Sequence, residues 1–298
     1  MTATTITVGL PTYNGERFLA ASLDSLLAQD HPRFELLISD NGSTDRTGEI
    51  ARAYALRDPR IRYLRSETNR GAVWNFDRVR DLATGDYFMW ASDHDLWSPG
   101  CLTRLAAVLD AQPEVVLAYG RTLYMDIDGR TLEEPSDRID TRGLGPARRL
   151  GKFLHQVGWC NLFYGLYRTE AIRSVAPSRN LWSPDIFSLA ALTLRGAFTQ
   201  VDEVLFHRRE NRPPESQDQA RRRVLGMLDP ATAAARGQHE LEALNRELRD
   251  AILGEVEGAG LGRLERLLAA GAVIANYRLR FGVPLGWRSV WRLAKLSA

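Results

Sequence analysis

An α/β fold is predicted for this chain of 298 residues, with a mostly parallel central sheet flanked by helices and a helical C-terminal extension. Three features predict it. Through about residue 120, short β-rich runs alternate with segments whose apolar residues recur every three or four positions, the pattern of strands joined by crossover helices. Polar clusters follow three of those runs, where an open, Rossmann-like sheet presents its carboxyl edge. Beyond residue 219 everything reads as helical.

Taken in order, Ile6, Val8 and Leu10 open the first strand, and Phe18, Leu19, Leu23, Leu26 and Leu27 share one helical face. Leu36 to Ile38 is a buried strand. Ser43, Thr44 and Asp45 are N-cap candidates for a helix through Ile50 and Tyr54, because short side-chain oxygens accept from the unpaired amides of a first turn. Ile61 to Leu64 is a third strand, Val73, Phe76, Val79 and Leu82 mark a helix, and Tyr87 to Ala91 is a fourth strand. Ser98-Pro99 predicts the start of a helix carrying Leu102, Leu105, Ala106 and Leu109, since proline lacks an amide hydrogen that the first turn leaves unpaired. After the strand Val115 to Tyr119, parallel order is expected to end. Asp126 to Gly129 reads as a hairpin turn, Pro146 to Val157 as a helix and Leu162 to Arg168 as a strand. Pro184 to Arg195 is a helix closed by Gly196, Val204 to Arg208 is the last strand, and two prolines mark 210–219 as a linker.

Composition narrows the function. With 39 basic and 37 acidic side chains the net charge is +2, which excludes nucleic-acid binding through a globally basic face. Cys101 and Cys160 lack metal-ligand spacing and fit a reduced cytoplasmic protein. Met1 to Thr5 has no basic leader segment, and the longest apolar stretch, Leu267 to Ala275, is far shorter than the roughly 20 residues of a spanning helix.

The polar clusters are PTYNG (Pro11 to Gly15), DNGSTD (Asp40 to Asp45) and SDHD (Ser92 to Asp95). If their strands are parallel neighbours, all three meet at one edge. Asp40 would then accept from a base or ribose, or merely shape a turn and cap. Asp93 and Asp95 place two hard oxygen donors on a strand-end loop, suited either to Mg²⁺ or Mn²⁺ on a diphosphate or to a solvated turn. His94 is not counted as a ligand.

In order and spacing, PTYNGERFL, ISDNGSTD, NRG (Asn69 to Gly71), ATGDYF (Ala83 to Phe88) and SDHDLWSP resemble glycosyltransferase family 2. The likeness covers Ile6 to about Tyr119 and weakens through Arg209. It implies a GT-A fold, a nucleotide-diphosphate-sugar donor of UDP or dTDP type, Mg²⁺ or Mn²⁺, and inversion at the anomeric carbon. It further implies a donor-binding half (1–120), an acceptor-binding half of the same domain (121–210), and a linker with helical extension (211–298). Carried over, Pro11, Thr12, Tyr13 and Glu16 line the nucleotide pocket, Asp40 and Asn41 hold base or ribose, and Arg70 approaches the donor. The Asp-x-Asp element falls on Asp93 and Asp95, both assigned to metal and Asp93 also to the donor, while Ser92 and His94 stand where acids are common in the family.

Asp185 is the candidate base that takes the proton of an acceptor hydroxyl, or else it complements a helix N-terminus. Arg208 and Arg209 either reach diphosphate oxygens or form surface ion pairs. Gln219 and Arg222 are followed by Arg223 rather than tryptophan, a departure from the processive members' Gln-x-x-Arg-Trp element that predicts single transfers. The acceptor, a glycan, lipid-linked or small molecule, would be selected by Tyr124 to Val175, where Trp159, Asn161, Tyr164 and Tyr167 are contact or core residues. From Gly271 to Ala298, Arg278, Arg280, Arg288, Arg292 and Lys295 interleave with Tyr277, Phe281, Trp287 and Trp291. That amphipathic tail suits a peripheral membrane contact, packing on the domain, or a homo-oligomer interface. Two other readings are a catalytically degenerate assembly subunit and a sugar-phosphate nucleotidyltransferase, the latter disfavoured because PTYNGERF lacks a Gly-rich basic loop.

Overall fold

The computed structural model describes residues 4–132, 138–177, 181, 183–210, 219 and 241–281. Strands β1 (Ile6–Thr12), β2 (Phe34–Asp40) and β4 (Tyr87–Trp90) are buried along almost their whole length. β4 and the middle of β2 are apolar on both faces, as a strand covered twice by helices requires, while β1 sets Ile6, Val8 and Leu10 on one face and buries Thr7 and Gly9 on the other. Helices α1 (Leu19–Leu27), α2 (Thr47–Arg57) and α4 (Cys101–Ala111) cover one side, packing Leu23, Leu26, Ala51 and Leu105 onto Val8, Leu10 and Leu36. Helix α3 (Ala72–Asp81) covers the other, with Val79 against Leu37 and Phe88.

β1 pairs in parallel with β2 and β4, and β2 with the edge strand β3 (Ile61–Arg65). The sheet continues through β5 (Leu96–Trp97), β6 (Val115–Met125), β7 (Leu166–Arg168) and β8 (Ala197–Arg209), in the order β3-β2-β1-β4-β7-β6-β8-β5. β7 is antiparallel to both β4 and β6 and β5 is antiparallel to β8, so direction reverses three times across the sheet, and β6 and β8 run parallel to each other and to β1. The ends of β1, β2, β4, β6 and β8 therefore share one edge.

Several expectations are corrected. Parallel pairing does not end after Tyr119, because helices α5 (Pro146–Gln156) and α7 (Pro184–Thr193) return the chain for a second parallel pair. Leu162 to Arg168 is not one strand: a 3₁₀ turn (Asn161–Tyr164) precedes β7, entered through Cys160 at φ 60°. The last strand begins at Ala197, its period broken in sequence by exposed Asp202 and Glu203. Ser98 caps no helix; its hydroxyl donates to the Val204 carbonyl, and α4 starts at Cys101. The two-residue β5 carries too short a pattern to be read from sequence.

The C-terminal helices α8 (Leu241–Gly258) and α9 (Arg263–Phe281) are not a detached appendage. Leu248, Ile252, Val256, Val273 and Tyr277 share a core with Phe153 and Leu189. The Glu265 carboxylate accepts from the Ala147 amide at 2.9 Å, placing negative charge at the N-terminus of α5. The tail from 282 onward, and Arg222 and Arg223 of the processivity element, lie outside the described residues. Among the described residues no helix is long and apolar enough to cross a membrane, and both cysteines are buried free thiols.

His207 on β8 sits opposite Leu96, with Nε2 3.0 Å from the Ser98 hydroxyl. Burial pushes its pKa below the ordinary histidine value. The unfolded chain therefore binds the proton more readily, so stability is retained above about pH 6.5 and lost as pH falls from there toward the lowered folded value. Urea denaturation from pH 7.5 to 5 should show this loss, and His207→Gln should flatten it. His31, also lowered by burial, supplies a background common to both proteins.

Candidate active site

The loop after β1 is bolted to the loop after β2. The amides of Asn14, Gly15 and Glu16 donate to Ser43 Oγ (3.0 Å), Thr47 Oγ1 (2.8 Å) and Asp45 Oδ2 (3.2 Å). In return Asn14 Oδ1 accepts from the Thr44 amide at 2.8 Å and Glu16 Oε2 from the Arg46 amide at 2.9 Å. Local side chains were expected to cap α2. Instead the distant Glu16 carboxylate takes the Arg46 amide, while Asp45 accepts from the Thr47 amide at 3.0 Å. Burial pushes the Asp45 carboxyl up, but hydrogen bonds from Thr47 and Glu16 outweigh it and hold the pKa below its usual value. Pro11 and Thr12 are buried in β1, and Tyr13 is exposed at the mouth of the loop.

Asp40 is fully buried and both its oxygens are engaged. Oδ1 accepts from the Ser43 amide at 2.8 Å, and Oδ2 from the Tyr63 hydroxyl and the Arg65 guanidinium, each at 2.8 Å. Asn41 is equally committed: its amide donates to Asn69 Oδ1 and the Gly71 carbonyl and accepts from the Arg70 backbone. These two residues fix the loops that follow β2 and β3. Gly42 adopts φ +76°, and a Cβ there would press on the backbone of Thr68 and Asn69, so only glycine suits this turn. The Arg70 guanidinium lies 4.1 Å from the Trp74 ring centroid.

In the acid loop the two aspartates have separate roles. Asp95 is almost completely buried; its carboxylate pairs with the Ser92 hydroxyl and accepts from the Arg209 amide at 2.7 Å, and its carbonyl accepts from Ser22 at 2.7 Å. Asp93 keeps 16% of its side chain exposed. Its Oδ2 accepts from Thr12 Oγ1 at 2.5 Å and its Oδ1 lies 2.9 Å from His94 Nδ1. Gly15 packs against this Thr12–Asp93 contact so closely that a Cβ would overlap both side chains.

The second half of the domain brings the remaining groups to the same edge. Asp185 sits in the first turn of α7, where Oδ1 accepts from the Ile186 amide at 2.8 Å. The ring of Tyr164 stacks on Phe206 at 5.1 Å. Burial raises the Tyr164 hydroxyl above the ordinary phenol range; the charges of Asp95, Asp185 and Asp93 push the same way, against Arg208. Arg208 donates through Nη1 to the Trp159 carbonyl (3.1 Å) and Asn161 Oδ1 (2.6 Å). Arg209 is diverted from any ligand: its guanidinium donates to the carbonyls of His94, Asp126 and Ile127. Tyr167 is core, its hydroxyl donating to the Phe163 carbonyl. Sequence reasoning missed Arg65 as the partner of Asp40, although its place at the end of β3 mirrors that of Asp40 at the end of β2. It also missed Ser92 as the partner of Asp95.

The profile of Glycosyl transferase family 2 matches residues 7–170, more than half of the chain. The chain belongs to this family. It is 35% identical to EpsE of Bacillus subtilis (strain 168) over 106 residues, 35% of this chain and 38% of that one. To glycosyltransferase GlyG of Streptococcus pneumoniae serotype 4 it is 32% identical, over 42% of this chain and 41% of that one. To the PGL/p-HBAD biosynthesis glycosyltransferase of Mycobacterium bovis it is 33% identical, over 44% and 51%. The matches thus span about half or less of these relatives. S. aureus TarS 1-349, solved in complex with UDP-GlcNAc, superimposes over 98% of this chain and 79% of that chain with TM-score 0.67 at 17% identity. The mannosyltransferase PcManGT from Pyrobaculum calidifontis, solved with GDP-Man and Mn²⁺, covers 100% and 87% with TM-score 0.54 at 17% identity. At these identities the likeness concerns the fold, which is the expected GT-A type.

Two substitutions test this glycosyl transferase family 2 site. Asp40→Ala removes a buried carboxylate with three partners and should destabilise the protein by about 3 kcal/mol in urea titrations. Gly15→Ala should leave the unfolding midpoint nearly unchanged while displacing Asp93, read as chemical-shift changes confined to residues 12–16 and 92–95.

Proposed function

We propose that this protein transfers a sugar, with inversion, from a nucleotide-diphosphate sugar to an acceptor hydroxyl in glycan or glycoconjugate biosynthesis. The partly exposed carboxylate of Asp93, held by Thr12 at the edge shared by β1, β2 and β4 in a chain of this family, carries the reading. The nucleotide would occupy the edge lined by Pro11 to Glu16, Asp40, Asn41 and Arg70, with Tyr13 exposed beside it. A uridine-type or dTDP donor is favoured, in keeping with the UDP-GlcNAc held by TarS.

Among the described residues no three His, Cys, Asp or Glu side chains gather as a metal site. That suits Mg²⁺ or Mn²⁺ held by one or two protein ligands and by diphosphate oxygens. Asp93, partly exposed, supplies the hard oxygen, whereas Asp95 is spent on Ser92 and Arg209 and serves to hold the loop. A bound cation would neutralise charge on the departing diphosphate. Asp185 takes the acceptor hydroxyl's proton as that oxygen attacks the anomeric carbon and the bond to the diphosphate oxygen breaks. No covalent enzyme intermediate is formed, so each transfer inverts the configuration. The residues after Gln219 support a single transfer per encounter.

Calorimetry with UDP, dTDP and GDP, with and without Mn²⁺, tests the donor site. One nucleotide should bind in a metal-dependent manner, and Asp93→Asn should weaken it about tenfold or more. Asp185→Asn should keep nucleotide affinity and lower turnover by about 10²–10⁴-fold. Absence of nucleotide binding under every condition would overturn the reading, and a long homopolymeric product would overturn single transfer.

A further inference from the structure

Trp159 is 60% exposed, whereas Trp90, Trp97, Tyr124 and Tyr167 are all buried. It lies between α5 and the 3₁₀ turn that ends in Tyr164, on the edge that carries the acid loop. Tryptophan is highly buried on average, so this indole stands apart from Trp90 and Trp97. This one is also held in place. Its carbonyl accepts from Arg208 at 3.1 Å, and its ring meets Tyr124 edge-on, centroids 6.1 Å apart and planes at 70°. Arg208 reinforces the arrangement, with Cζ 5.6 Å from the Tyr124 ring centroid and Nη1 bonded to Asn161. The platform is thus tied through Arg208 and Asn161 to the 3₁₀ turn that ends in Tyr164.

We propose that Trp159 is a stacking platform for a carbohydrate acceptor, receiving one face of a pyranose ring while a hydroxyl of that sugar reaches Asp185; this rests on the glycosyl-transfer reading above. A pyranose presents a patch of weakly positive C–H groups on one face, which complements the negative face of an aromatic ring. Its hydroxyls project around the rim, where half-buried Tyr164 offers a polar partner. A phosphate-bearing, sugar-free acceptor would gain nothing from such a surface. The acceptor class assigned is therefore a glycan or sugar-terminated molecule.

Saturation-transfer NMR with cellotriose, chitotriose and maltotriose, each in the presence of UDP and Mn²⁺, tests this on the full chain. At least one trisaccharide should bind the wild type through its ring C–H protons. Trp159→Ala should weaken that binding about tenfold or more, and Trp159→Phe should restore it to within about threefold, because a ring face is kept. UDP affinity by calorimetry should be the same in all three proteins. Equal trisaccharide binding by wild type and Trp159→Ala, or binding of none by the wild type while UDP still binds, overturns the platform and leaves the donor reading standing. Failure of the wild type to bind UDP overturns the donor reading itself.

Discussion

The buried carboxylate of Asp95 is the joint on which this architecture depends. A charge removed from water is tolerable only when its oxygens are satisfied, and here they are satisfied by groups that sequence keeps far apart: the Ser92 hydroxyl and the amide of Arg209 at the end of β8. The Asp95 carbonyl holds Ser22 of α1 as well. One residue thus joins the first helix, the loop after β4 and the last strand. Arg209 extends the joint to the turn at Asp126 and Ile127 through its guanidinium. The two halves of the domain are consequently one body at the edge where chemistry is placed.

The same economy governs the donor side. Asp40, Asn41, Asn14 and Glu16 direct their polar atoms inward, to neighbouring loops, so that the exposed surface is shaped by residues such as Tyr13 and Arg70 and by backbone. Loops tied by hydrogen bonds in this way are held in one arrangement, and the ligand-binding edge proposed here would need less ordering on binding. Asp93 differs from its neighbours because it sits on this framework through Thr12 yet keeps part of its carboxylate at the surface. Exposure and hydrogen bonding thus separate the residues proposed to bind from those that support them, and residue type alone does not distinguish them.

The C-terminal helices support the second half of the sheet's helical cover. α8 and α9 pack on α5 and α7, and α7 carries Asp185 in its first turn. Arg195, just after α7, pairs with Glu255 of α8 at 2.6 Å. The catalytic carboxylate proposed for Asp185 is therefore fixed from behind by a segment that has no part in the family match, which ends at residue 170.

Hydrophobic period and strand-end chemistry determined the parallel half by themselves. Ile6, Val8 and Leu10 alternate along one strand, Leu36 to Ile38 is apolar throughout, and the polar clusters after them are local in sequence, so these were legible without coordinates. Pairing was not legible. The reversal at β7, the short β5 and the full length of β8 depend on partners distant in sequence, and β propensity in a three-residue strand is weaker than tertiary context. Asp93 and Asp95 look alike on paper as two acids of one loop. Only the folded chain decides that Asp95 is buried against Ser92 and Arg209 while Asp93 faces outward, because burial and hydrogen-bond partners are properties of the packed interior.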